Sequence, residues 1–131
     1  MESRRVLFIG IFIAASISLV FAANGGVAIK EWPAASPNSF PHDPAVSSDG
    51  ALWYTGIMVN TLGRLDPKTG EIKEYHLTTP DSGPHGLAAD REGNIWFTAN
   101  YKGYIGRLNP ATGEVKEYPM PDRSAAIRIH W

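Results

Sequence analysis

The chain has 131 residues, no cysteine, and 12 basic against 13 acidic residues, a formal net charge of −1. Lack of cysteine excludes disulfides and a lipidated N-terminal cysteine, and the near-neutral balance gives no electrostatic case for nucleic acid or an anionic membrane surface. Four Trp, five Tyr and five Phe suffice for a packed core, and ten Pro with 13 Gly suit short strands separated by tight turns.

The first two dozen residues stand apart from the rest. Arg4 and Arg5 precede an almost wholly apolar run from Val6 to Phe21, followed by Ala22 and Ala23. Residues 1–23 have the form of a secretory signal peptide, with export to a periplasm or beyond. The alternative is an uncleaved membrane anchor, for which an 18-residue run from Val6 to Ala23 is at the short end. Cleavage after Ala23 leaves no membrane-binding element in the mature chain.

Residues 24–40 lead into a repeat of 43 residues. Residues 41–75 and 84–118 align without a gap, and 16 of the 35 positions are identical, among them Pro41/Pro84, His42/His85, Trp53/Trp96, Gly63/Gly106, Arg64/Arg107, Leu65/Leu108 and Tyr75/Tyr118. The register reaches back to Ile29–Trp32, one period before Ile72–Tyr75. Strand-rich repeats of this length predict an all-β propeller with one blade per repeat.

Each repeat divides into four strands. In the second, they are His85 to Ala89, Asn94 to Thr98, Tyr104 to Leu108 and Glu114 to Met120. The turns between them are Asp90–Gly93 and Asn109–Gly113, where Gly and Pro fix the geometry. The first repeat follows the same plan, with turns at Ser47–Gly50 and Asp66–Gly70. Asp66 and Lys68 become Asn109 and Ala111 in the second copy, which marks turn chemistry and argues against calcium.

A lone blade cannot bury both faces, so Trp53, Trp96, Leu65 and Leu108 are expected in the core between stacked blades. Arg64 and Arg107 repeat in one Gly-Arg-Leu context and are read as structural, bonding to neighbouring backbone. Val27 to Pro33 supplies one leading strand, residues 41–83 and 84–122 supply two blades, and residues 123–131 begin a further repeat. Closed propellers have four to eight blades. The expectation is therefore a propeller fragment, or a unit that closes by self-association.

The string Pro84-His85-Gly86 through Gly93-Asn94-Ile95-Trp96-Phe97-Thr98, then Ile105-Gly106-Arg107-Leu108 and Gly113 to Pro121, resembles a blade of the streptogramin B lyases. The resemblance runs over about residues 27–122. It implies a seven-bladed propeller and an elimination that opens a cyclic depsipeptide lactone without hydrolysis, assisted by Mg²⁺. A His in a Pro-His motif would take a proton next to the ester carbonyl, and the carboxylate oxygen would leave. By this resemblance His85 is the catalytic base and His42 contacts substrate.

The chain departs from the family pattern at the metal. The family's metal-binding Glu before Pro-His is Phe40 in one repeat and Gly83 in the other, and the second acidic position falls at Gly56–Ile57 and Ala99–Asn100. No metal ligand is assigned. Asp43 is a candidate substitute, but neighbours on a regular strand point to opposite faces, which argues against a site shared with His42. A structural alternative has His42 and His85 bonding loop backbone at the channel mouth. With the carboxylates absent, these residues alone are expected to be inactive. Two other functions stay open: a non-catalytic binding module, and a lactonase-type hydrolase for which Asn100 and Asp43 are the only candidate ligands.

Overall fold

The computed structural model describes residues 28–122. The signal-peptide or anchor expectation, the tail after residue 122 and His130 lie outside these residues. The chain divides into two units, Met1–Lys30 and Glu31–Trp131, and every described strand belongs to the second.

Eight strands form two four-stranded antiparallel sheets with no described helix. The first sheet comprises β1 (Pro41–Val46), β2 (Leu52–Gly56), β3 (Thr61–Leu65) and β4 (Ile72–His76). The second comprises β5 (Pro84–Ala89), β6 (Ile95–Ala99), β7 (Tyr104–Leu108) and β8 (Val115–Pro119). Both run in sequence order, as expected of propeller blades. Boundaries fall within a residue or so of the turn chemistry that predicts them. Asp66 Oδ1 accepts from the Lys68 amide at 2.8 Å, and Asn109 Oδ1 from the Ala111 amide at 3.0 Å. Asp66 and Asn109 thus do the same work, which is why the exchange is tolerated.

The repeated glycines of β3 and β7 have a packing reason. Gly63 lies opposite Tyr54, and Gly106 opposite Phe97. A Cβ on either glycine would stand 2.0 Å from the ring across from it, so the bare backbone is what lets each ring lie flat over the sheet.

The core lies between the blades. Trp53 and Leu62 on one face of the first sheet meet Ile95, Phe97, Tyr104 and Leu108 on the second. All are essentially removed from solvent, worth about 1.5–3 kcal/mol for each large apolar side chain. Trp96 departs from expectation: it is half-buried where its counterpart Trp53 is buried. Trp96 sits on the other face of the second sheet, over which no described blade packs, together with half-buried Ile105.

The leading strand expected over Val27 to Pro33 makes no sheet pairing among the described residues, because no partner strand lies beside residues 28–33. Its contacts to the first blade nevertheless keep the repeat register. Ser36 bonds the Glu74 carboxylate through its amide and hydroxyl. One period on, Thr79 bonds Glu117 at 2.9 Å. Residues 31–40 therefore meet the first blade much as the chain after β4 meets the second.

The arginines also differ from expectation. Arg64 pairs with the Asp49 carboxylate at 2.7 Å, not with backbone. Arg107 lies over the Trp96 ring, with its Nε buried and without a hydrogen bond. Glu92 stands at the position of Asp49 in the second repeat, so the repeated arginine has different partners in the two blades.

Candidate functional site

The two Pro-His motifs open the two innermost strands, β1 and β5, and the stacking of the blades brings these strands together. Thr55 of β2 ties them: its buried hydroxyl lies 3.0 Å from the His42 carbonyl and 3.2 Å from the His85 carbonyl. In the second blade the equivalent Thr98 hydroxyl accepts from the Gly86 amide at 2.8 Å.

Both innermost strands carry a bulge at the same place. His42 pairs with Thr55 but Ala45 with Trp53, so one extra residue is accommodated on β1. Pro84 pairs with Ala99 but Leu87 with Phe97, the same offset on β5. Asp43 sits in the first bulge with φ of 32°, and Pro44 follows it, having no amide to give to the ladder. A left-handed conformation at a residue other than glycine costs about 1–3 kcal/mol, and such strain collects at functional sites. The corresponding residue of the second repeat, Gly86, does not share this positive φ.

The bulge overturns the expectation for Asp43. Strict alternation would turn its side chain away from His42, but the left-handed backbone breaks the alternation. The carboxylate bridges both histidines. Its Oδ1 lies 3.0 Å from His42 Nδ1 and its Oδ2 lies 3.0 Å from His85 Nδ1. The two imidazoles are in contact, with centroids 4.1 Å apart and planes tilted by 45°. Instead of bonding loop backbone, the side chains form a His–Asp–His cluster. The side chains of Asp43 and His85 are 18% and 27% exposed and that of His42 is 47% exposed, so the cluster has a protected floor and an open side.

Neither contact is a hydrogen bond, although both are close. Asp43 Oδ2 and His85 Nδ1 are buried and neither has a hydrogen bond, although they are 3.0 Å apart. The approach is off-axis, so the distance is that of an ion pair without the alignment a hydrogen bond requires.

The two positions where a metal carboxylate would be expected add nothing. Phe40 is exposed, with φ of 48°. Gly83 has φ of 58°, and a Cβ there would stand 2.5 Å from the Tyr101 ring, leaving no room for an acidic side chain. Asn100 Oδ1 is buried without a partner. Among the described residues, His42, Asp43 and His85 form the only group of three metal-capable side chains. Sequence reasoning named both histidines but missed the Asp43 bridge and the Thr55 tie. Pro44 within a strand was the available signal for the bulge.

The virginiamycin B lyase family model matches residues 17–130. Among solved structures, virginiamycin B lyase from Staphylococcus aureus is 32% identical with a TM-score of 0.71, over 79% of this chain and 34% of that one. A streptogramin B lyase is 35% identical with a TM-score of 0.70, over 74% of this chain and 32% of that one. A catalytically inactive variant of the Staphylococcus aureus enzyme with quinupristin is 32% identical with a TM-score of 0.70, over 76% and 33% respectively. The chain thus spans about a third of the length of these relatives. Comparison with curated proteins gave no match.

Proposed function

The chain belongs to the virginiamycin B lyase family, and from that premise we propose that its two blades carry the acid–base half of an elimination site acting on a cyclic depsipeptide. The observation that supports this is the carboxylate of Asp43 set between His42 and His85, 3.0 Å from each Nδ1. A carboxylate on Nδ1 favours the tautomer with the proton on that nitrogen and leaves Nε2 free as a base. Slight ring rotations would align both contacts, as catalytic hydrogen bonds often tighten only with substrate bound.

His85 is the base in this reading. Its Nε2 takes a proton from carbon, the electrons of that C–H bond form a new C=C bond, and the C–O bond breaks with its electrons to release a carboxylate. No water is consumed. His42, the more exposed partner, contacts the substrate, and Asp43 orients both rings.

Mg²⁺, which family resemblance implies, does not fit the residues present. It demands oxygen ligands in near-octahedral array, and the cluster offers two imidazole nitrogens and one carboxylate. Gly83 has no room for another acid and Phe40 brings none. No step is therefore assigned to this ion. Export, cued by residues 1–23, forms part of the same proposal.

The test is to incubate the purified chain with a streptogramin B, following binding by the histidine ring signals in NMR and ring opening by mass spectrometry. Binding is expected, with loss in His42→Ala and His85→Ala and no linearisation with or without Mg²⁺. Mg²⁺-dependent linearisation would overturn the separation of base from metal. No binding would overturn the lyase-type reading. A second reading, a non-catalytic binding module, is favoured by the missing carboxylates at Phe40 and Gly83; ligand binding unaffected by either histidine substitution would support it.

A further inference from the structure

We infer that His42, Asp43 and His85 form a site for a borderline divalent transition-metal ion, of which Zn²⁺ is the type. Three observations carry this. The candidate ligand atoms, one from each residue, all lie within 4.8 Å of one another. Two of the polar atoms, Asp43 Oδ2 and His85 Nδ1, are buried, face each other and have no hydrogen bond. Finally, the left-handed φ of Asp43 is what turns the carboxylate onto the histidines.

Donor chemistry selects the ion. Imidazole nitrogen suits zinc, copper and nickel, whereas magnesium and calcium take oxygen. Two imidazoles and one carboxylate with an open side form the three-ligand pattern that leaves a coordination position to water. Zinc bonds to nitrogen and to carboxylate oxygen at about 2.0–2.2 Å. A cation placed between the carboxylate and the two Nδ1 atoms would give both orphaned atoms a partner.

This inference does not rest on the elimination reading, because its readout is metal binding alone. The two are nevertheless chemically linked. A neutral imidazole that ligates through Nδ1 carries its proton on Nε2, so a metal-loaded His85 would have no free base.

The full chain, untagged and stripped of metal, is titrated with Zn²⁺ by calorimetry and separately with Co²⁺, whose visible absorption reports nitrogen and oxygen coordination. One equivalent of each is expected to bind, with millimolar Mg²⁺ unable to displace it. Asp43→Asn and His85→Ala should each weaken Zn²⁺ binding by about a hundredfold or more, beyond the loss typical of an outer partner. Asn keeps the shape of Asp and accepts a left-handed backbone, so its loss of binding cannot be ascribed to unfolding, and circular dichroism checks this. His76→Ala, outside the cluster on β4, should bind as the parent does. Absence of stoichiometric binding would overturn the inference. So would binding that survives both cluster substitutions, including binding abolished instead by His130→Ala.

Discussion

At the scale of single residues, three positions hold local structure that can be tested one at a time. Gly106 lies beneath the Phe97 ring with no space for a Cβ. Gly106→Ala should destabilise the protein by about 1–3 kcal/mol, as overpacking does, and denaturant unfolding would show it. Thr55 shares the one proton of its buried hydroxyl between two carbonyls. Thr55→Val should cost about 1–3 kcal/mol by leaving these acceptors unsatisfied, and should shift the NMR signals of both site histidines by loosening β1 from β5. Asp49 is held well below the usual carboxylate range, first by the Ser47 hydroxyl, then by Arg64 and the Ala51 amide. A depressed folded-state value gives stability that is present above the unfolded value and lost as pH falls through the folded one. The side chain is 55% exposed and screened, so Asp49→Asn should cost under about 1 kcal/mol at neutral pH. The gap to the parent should close as acid titrates below the ordinary carboxylate range, a trend readable from urea midpoints against pH.

Among elements, the strands and turns were legible in the sequence because their causes are local. Asp66 and Asn109 cap equivalent turns with the same side-chain oxygen, and the Gly50 and Gly93 positions both adopt positive φ, near 82° and 84°. The bulges of β1 and β5 were not legible from alternation, since they depend on how one strand pairs with the next. Asp43 shows the consequence: regular strand geometry turns it away from His42, and the bulge turns it back. The blades also part company in packing. Trp53 and Trp96 share a sequence context, but only the first is covered by a described blade. Trp53→Ala should cost about 3–5 kcal/mol, and Trp96→Ala clearly less, a difference thermal denaturation would resolve.

For the molecule as a whole, the faces of the two sheets determine behaviour. The second sheet presents Trp96 and Ile105 on the face opposite the core, at an apolar depression. Exposed apolar patches bind hydrophobic dyes and promote association. Ile105→Lys should lower dye fluorescence and light scattering while keeping the circular dichroism spectrum. Leu62→Lys at the equivalent position, buried between the blades, should unfold the chain. The sequence by itself determined the 43-residue repeat, the four strands of each blade, their turns and the two Pro-His motifs, because hydrophobic alternation and turn chemistry act over a few neighbouring residues. Only the tertiary structure decided that His42 and His85 touch, that Asp43 bridges them, and that Trp53 is sealed while Trp96 is not. Those outcomes depend on blade stacking, which joins residues tens of positions apart, and on a bulge in the pairing of one strand with the next, which local alternation does not report.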